Sequence, residues 1–277
     1  MSQTKQQIQS HLAAAGSQPR HRFGQNFMID QNLVRLIVGA ASLTDADTVI
    51  EVGPGTGTLT EEIVASGAKV IAVEIDRDLA EHLRLHFAGR ANFTLIEGDA
   101  LDGKHAVHPE LSKLIVPGHT KLVANLPYNI ASPLVIDLLI AGVEQLVFTV
   151  QKEVADRLKG VADSDDYGPL TVIVQMLAKV EVLRTLPPQA FWPAPKIESS
   201  LVRLVRSDRL GDQSRAFGKF VQKLFSFRRK TLRKALEMMD LPSDAMLAAA
   251  GLDGTKRAES FTPEQIHTLF QKSEIAA

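Results

Sequence analysis

The β-branched run Thr48-Val49-Ile50-Glu51-Val52 ends on Gly53-Pro54-Gly55-Thr56-Gly57, and an apolar helical pattern then runs from Leu59 to Ala65. Strand, glycine-rich turn and helix in that order make the opening half of a βαβ unit, which directs the chain towards a parallel sheet. Val70 to Val73, Phe93 to Ile96, Lys121 to Ala124 and Gln145 to Val150 repeat the short strand pattern, with helix-length segments between most of them. An α/β fold with helices on both faces of the sheet is therefore expected. Val180 to Leu186 and Ser200 to Arg206 read as further strands, and Leu33 to Val38 suits a buried helix. Leu170 to Leu177 is an unbroken apolar run, which fits a buried helix and a strand equally well.

Beyond Ser207 the strand pattern stops. Phe217, Phe220, Val221 and Leu224 follow helical spacing, Ser243 begins a short helix that Gly251 can close, and Thr262-Pro263-Glu264-Gln265 combines an N-cap, a first-turn proline and a capping-box glutamine. Residues 1–20 show no sustained periodicity and are expected to form a mobile arm or a frayed helix. The expected organisation is thus an arm over 1–20, an α/β domain over 21–208 and a small all-helical domain over 209–277.

The 277 residues carry 31 Lys+Arg against 32 Asp+Glu, a balance that excludes a uniformly basic nucleic-acid coat. The balance is local only on average. Residues 43–110 hold 13 acidic and 5 basic side chains, a net of −8, whereas residues 196–234 hold 12 basic and 3 acidic, a net of +9. A concentrated cationic segment in a neutral protein is the footprint of a phosphate-bearing partner. With no cysteine the chain has no disulfide and no thiolate metal site, and its polar start lacks an apolar signal core, so a soluble cytoplasmic protein is expected. His105, His108 and His119 lack paired ligand spacing, and no metal site is expected of them. No coiled-coil seam is evident, so a monomer is expected.

The glycine loop is spaced G-x-G-x-G. A dinucleotide fingerprint would place glycine where this chain has Thr58, and a phosphate-binding P-loop would end in Gly-Lys-Ser/Thr, which is absent. What remains is a turn open enough for a flat cofactor to lie across the strand ends. Glu74 closes the next strand, 21 residues after Gly53, where a carboxylate can accept from two ribose hydroxyls; Asp99 follows the third, where it can read an adenine amino group. After the fourth strand comes Asn125-Leu126-Pro127-Tyr128. An amide oxygen and a neighbouring carbonyl pair as acceptors for a substrate NH2, and the tyrosine ring offers a face on which a base can stack. The exocyclic nitrogen of adenine is a poor nucleophile because its lone pair is delocalised. Two acceptors holding its hydrogens favour a pyramidal nitrogen, with the lone pair released towards an electrophilic methyl.

These residues resemble the S-adenosylmethionine-dependent methyltransferases of class I fold and, within them, the ribosomal RNA adenine N6,N6-dimethyltransferases. The likeness extends from about Arg22 to Phe270. Phe23-Gly24-Gln25-Asn26-Phe27 is similar to the family's segment that closes over the cofactor. Asn125 to Tyr128 is similar to its amino-methyltransferase motif, and Phe191-Trp192-Pro193-Ala194-Pro195-Lys196-Ile197-Glu198-Ser199 to its F-x-P-x-P-K-[VI]-x-S signature. Phe225-Ser226-Phe227-Arg228-Arg229-Lys230-Thr231-Leu232 is similar to its basic helix, and Arg257-Ala258-Glu259 also matches. The resemblance implies a Rossmann-like, mainly parallel seven-stranded sheet followed by a small helical domain. It implies S-adenosylmethionine contacts at Asn26, Met28, Gly53, Gly55, Glu74, Asp99 and Asn125. It implies a target-amine site at Asn125, Leu126, Pro127 and Tyr128, with Phe191 on the far face of the base. It further implies an RNA grip at Lys223, Arg228, Arg229, Lys230, Arg233 and Lys234. Position 28 is Met where the family usually has Leu, a volume-conserving change.

The expected activity is dimethylation of two adjacent adenosines near the 3′ end of small-subunit ribosomal RNA, free or in a precursor particle, in ribosome biogenesis. Methylation of large-subunit RNA and a docking role in subunit assembly are the rival readings. Enzymes acting on DNA adenine or protein glutamine favour Pro-Pro where this chain has Leu126-Pro127.

Overall fold

The computed structural model describes residues 3–103 and 106–275, so His105 lies outside the described residues. In chain order the elements begin with α1 (Lys5–Ala14), β1 (Phe27–Met28), α2 (Gln31–Ala41), β2 (Thr48–Val52), α3 (Thr58–Ala65), β3 (Lys69–Glu74), α4 (Arg77–His86) and β4 (Phe93–Glu97). They continue with α5 (Pro109–Ser112), β5 (Thr120–Asn125), α6 (Ala131–Ile140), β6 (Gln145–Gln151), α7 (Lys152–Leu158), α8 (Pro169–Leu177), β7 (Ala178–Leu186), β8 (Phe191–Trp192) and β9 (Ser199–Arg206). The chain closes with α9 (Ser214–Ser226), α10 (Leu232–Met238), α11 (Ser243–Ala250) and α12 (Pro263–Ile275).

Two compact units share these elements, one of Met1–Ala155 with Glu181–Arg206 and the other of Asp156–Val180 with Ser207–Ala277. The first holds the seven-stranded sheet, ordered β4-β3-β2-β5-β6-β9-β7. β4, β3, β2, β5 and β6 are parallel neighbours, and β9 returns antiparallel to β6. This is the class I methyltransferase arrangement. β2 pairs with β3 on one side and β5 on the other, so the strand order reverses there and a crevice opens beyond the carboxyl ends of β2 and β5. Val49, Ile50, Val70, Ile71, Leu122, Val123 and Val147 are fully buried, as parallel strands covered on both faces require. A second, two-residue ladder pairs Met28 with Phe191 and Phe27 with Trp192.

Within the arm over 1–20, Lys5–Ala14 form a helix. Thr4 and Gln7 form a capping box that starts α1, and Ile8 and Leu12, four residues apart, are buried in a cluster with Phe27 and Leu79. Burying two such side chains contributes roughly 1.5–3 kcal/mol each, enough to order a short segment that a periodicity count passes over. The stretch 102–120 carries the short α5, capped by His108, whose Nδ1 accepts from the Glu110 N–H at 3.3 Å.

In the second unit Leu170 to Leu177 resolves as helix: Pro169 stands in its first turn, and Val172, Ile173, Val174, Met176 and Leu177 are buried. This helix groups with the C-terminal helices, so the helical unit includes 156–180 as well as the stretch beyond 207. Its core is aromatic, with Phe217 and Phe220 each 5.5 Å from Phe270 between ring centroids, and the Tyr167 hydroxyl donating to the Phe261 carbonyl at 2.6 Å. Thr262 and Gln265 exchange the capping-box hydrogen bonds that begin α12, and Gly251, at φ 65°, ends α11.

Candidate active site

A cavity of about 250 Å³ lies beyond the carboxyl ends of the parallel strands, and Asn26, Met28, Gly53, Gly55, Glu74, Asp99, Asn125 and Pro127 all line it. The glycines explain its opening. Gly53 sits at φ 73°, and a Cβ there would press on Pro127 Cγ at 3.3 Å; Gly55 sits at φ 61°, where a Cβ would meet the Phe27 ring at 2.9 Å. Both positions require positive φ and a bare backbone at once.

Two carboxylates lie beneath the loop. Glu74 is 3% exposed and accepts from the Gly55 N–H at 3.1 Å and the Asp76 N–H at 2.9 Å. Burial pushes its carboxyl up to about 7. Glu51 is 2% exposed, accepts from the Thr60 hydroxyl at 2.6 Å, and is raised by burial to about 8, Glu74 nearby adding to the rise. Glu51 also lines the cavity, though the sequence gives it no sign beyond an acid at an apolar strand's end. Asp99 stands at the exposed rim, its carboxylate accepting from the Leu101 N–H at 3.0 Å. The segment before β1 covers the other side: Gln25 donates to Asp76 at 3.0 Å and Arg20 pairs with the same carboxylate at 2.8 Å.

At the end of β5 the Asn125 side chain is held at both ends. Its Nδ2 donates to the Asn26 carbonyl at 2.7 Å, and its Oδ1 accepts from the Thr149 hydroxyl, contributed by the residue opposite in β6. An amide oxygen has two lone pairs, so this clamp fixes the amide's orientation and leaves a second acceptor direction. The Pro127 carbonyl accepts from the Ile130 N–H at 3.2 Å, which closes the turn, and Leu126 is buried beneath it. The Tyr128 hydroxyl meets Ser199 Oγ at 2.7 Å, and burial raises its pKa. Ser199 ends the proline-rich signature, so this contact joins two motifs 71 positions apart.

Phe191 is 2% exposed and packs in the core with Met28 and Leu33, and neither Phe191 nor Tyr128 is among the residues that line the cavity. The partner of Phe191 in the β1 ladder is Met28, which lines the cavity.

Residues 16–274 match the model of the family described as ribosomal RNA adenine dimethylase. The chain belongs to this family. It is 41% identical to the ribosomal RNA small subunit methyltransferase A of Pseudomonas fluorescens, over 87% of this chain and 88% of that protein. The solved structure of a dimethyladenosine transferase from Plasmodium falciparum has the same fold, with a TM-score of 0.71 at 24% identity over 90% of this chain and 98% of that one. The 23S rRNA methyltransferase ErmE aligns with a TM-score of 0.62 at 27% identity, over 90% of this chain and 100% of that one.

A dimethylase needs a place for the cofactor's methionine, ribose and adenine, and the residues present suit that group. The glycine cradle has no room for a Cβ, Glu74 ends β3 as a buried acceptor, and Asp99 stands at the rim.

In the helical unit of this dimethylase Lys223, Arg228, Arg229, Lys230, Arg233 and Lys234 are all exposed. They do not share one helix, which corrects the expectation of a continuous basic helix. α9 ends at Ser226, a turn carries Phe227 to Lys230, and Thr231 caps α10 by accepting from the Lys234 N–H at 3.4 Å. Arg228 pairs with Glu259 at 3.3 Å, Lys234 with Glu237 at 2.9 Å, and Arg233 with Asp244. Among the described residues no ion pair engages Lys223, Arg229 or Lys230. Among the described residues no helix is long and apolar enough to cross a membrane.

Proposed function

We propose that this chain is an S-adenosylmethionine-dependent enzyme that dimethylates N6 of two adjacent adenosines near the 3′ end of 16S, small-subunit ribosomal RNA, acting as a cytoplasmic monomer during subunit biogenesis. The observation that carries the reading is the 41% identity to a small-subunit RNA methyltransferase along most of both chains, set against 27% to a large-subunit enzyme.

Bound S-adenosylmethionine supplies an electrophilic methyl group. Gly53 and Gly55 let the backbone approach its methionine portion, Glu74 accepts from its ribose hydroxyls, and Asp99 accepts from its adenine. Asn26 and Met28 close the cavity from the side of the N-terminal segment. The target adenine leaves its stack and lies on the Tyr128 ring, at a cost of a few kcal/mol in lost stacking. Ser199 steadies that ring through the hydroxyl contact. Asn125 Oδ1, pre-aimed by Thr149 and Asn26, accepts from the N6 amine together with a carbonyl of the Leu126–Pro127 turn. The lone pair is thereby freed without a general base. Phe191, paired with Met28 across the β1 ladder, packs the other face of the base. Lys223, Arg228, Arg229, Lys230, Arg233 and Lys234 grip phosphates, while RNA shape and the pocket set the choice of base.

The test is transfer of labelled methyl groups to unmethylated small-subunit particles and to the free 16S RNA, with large-subunit RNA and DNA in parallel, followed by nucleoside analysis. Dimethyladenosine in the small-subunit samples alone is expected. Product in the large-subunit sample would move the assignment to that RNA, and tight particle binding without transfer would make the chain an assembly factor.

A further inference from the structure

Three imidazoles with no part in the methylation site meet where α1 packs on α4. His82 and His86 stand four residues apart on α4, which puts them on one face, and His11 comes across from α1. One ring nitrogen from each lies within 4.8 Å of the others. The ring centroids are 4.9 Å apart for His11 and His82, 5.5 Å for His11 and His86 and 5.6 Å for His82 and His86.

His82 is the informative member. Its ring hydrogen-bonds to the backbone of Thr56, while its Nε2 is buried with no hydrogen-bond partner. An unpaired buried ring nitrogen costs stability unless something occupies its lone pair. A ring anchored to backbone through one nitrogen, with the other turned towards two more imidazoles, has the arrangement by which metal-binding histidines are oriented. Glu61 lies 3.2 Å from His86 Nε2 and brings a negative charge to the cluster.

We propose that His11, His82 and His86 bind one divalent transition-metal ion of the zinc class, with Glu61 as the neighbouring oxygen donor. Imidazole nitrogens suit such ions, and three of them beside a carboxylate complete a four-donor set. Tetrahedral bonds of about 2.1 Å separate ligand nitrogens by about 3.4 Å, so small side-chain rotations close the cluster around the ion. The ion is structural and fastens α1 to α4. That clamp extends to the cofactor loop, because Gln3, just before α1, donates to the Thr56 carbonyl at 2.9 Å and to Glu61 at 2.8 Å and accepts from the Thr58 hydroxyl at 3.1 Å. The sequence gives little warning of the site, since His11 is 71 residues from His82 and only the His82-x-x-x-His86 spacing is local.

Zn2+ titrated into the untagged, chelator-stripped full chain by calorimetry tests the site, with Co2+ visible absorption as a second probe. One ion per chain with micromolar or tighter affinity is expected. His86→Ala, on an exposed side chain, and His11→Asn should each weaken binding at least about tenfold, the loss that even an outer-shell partner of a ligand causes. His108→Ala and His119→Ala, which alter histidines elsewhere, should leave binding unchanged. Hydrogen exchange across residues 5–14 should slow on adding Zn2+ in the parent and not in His86→Ala. Affinity weaker than about 100 μM, a free energy of only about 5.5 kcal/mol, would overturn the proposal. So would binding that survives both ligand variants, or exchange in α1 that ignores the ion.

Discussion

The cofactor cavity and the basic turn of the helical unit both depend on charge, yet they are built on opposite physical terms. At the cavity Glu51 and Glu74 are 2% and 3% exposed, and each is held by named hydrogen-bond donors. At the turn and in α10 beyond it, Arg228, Arg233 and Lys234 have side chains 61%, 47% and 59% exposed, and their ion pairs are of the surface kind that contributes about 0–1 kcal/mol. Buried polar groups cannot relax when one partner is removed, so a single deletion there is expensive. Exposed cations act through the summed field, so single deletions subtract modestly and salt subtracts along with them.

The contrast is sharpest at Asn125. Asn125→Ala removes the pre-aimed acceptor and should lower turnover by about 10²- to 10³-fold, as loss of one oriented transition-state contact does, with cofactor affinity changed far less. Methyl-transfer kinetics beside a cofactor-binding titration would separate the two. An effect below tenfold would put the cavity on the same footing as the surface. Tyr128→Phe keeps the ring and loses the Ser199 contact, whereas Tyr128→Ala loses both. About 10- to 100-fold is expected for Ala by the worth of one stacked base, and only a few-fold for Phe.

The turn should respond as a sum. Arg228→Ala with Arg229→Ala should weaken RNA binding by about tenfold and reduce the slope of log affinity against log salt by about two, leaving turnover at saturating RNA unchanged. Arg229→Ala alone should cost more than Arg233→Ala, because Arg233 is already paired with Asp244. Equal losses would mean that the intramolecular pairs break freely on binding.

The smallest effect is on stability. Glu51 is raised to about 8 against 4.5 for an ordinary glutamate, so between those values the folded protein holds a proton that the unfolded chain has released. Folding stability through this group is greatest below about pH 4.5, falls as pH rises, and levels off above about 8. Glu51→Gln, which keeps an acceptor for Thr60, should remove that decline and gain on the parent in melting temperature by about a few degrees across pH 5 to 8. Parallel melting curves for the two proteins would expose a mistaken burial argument.

The strand-and-turn grammar of the sheet was legible because each strand is a short β-branched run and each site residue falls just past its end. That is why Gly53, Glu74, Asp99 and Asn125 could be named from spacing, and all four line one cavity. Local chemistry also carried the capping box at Thr262 and the αL glycine at Gly251. Periodicity was silent where a contact joins distant positions or where burial decides. Leu170 to Leu177 needed its neighbours to become a helix, and Ile8 and Leu12 needed Phe27 and Leu79 to order α1. The basic run split because Thr231 caps a new helix.

By itself, then, the sequence determined the order of strands and helices, the open loop and the acids and amide at the strand ends, because propensity, capping and periodicity act over a few residues. Tertiary structure alone decided that Thr149 clamps Asn125, that Ser199 holds Tyr128, that Glu51 shares the cavity with Glu74, and that His11 meets His82 and His86. Each of those depends on which side chains come together after the chain has closed loops of many residues, and on how much water is then excluded. Neither quantity is written in the spacing of the residues that meet.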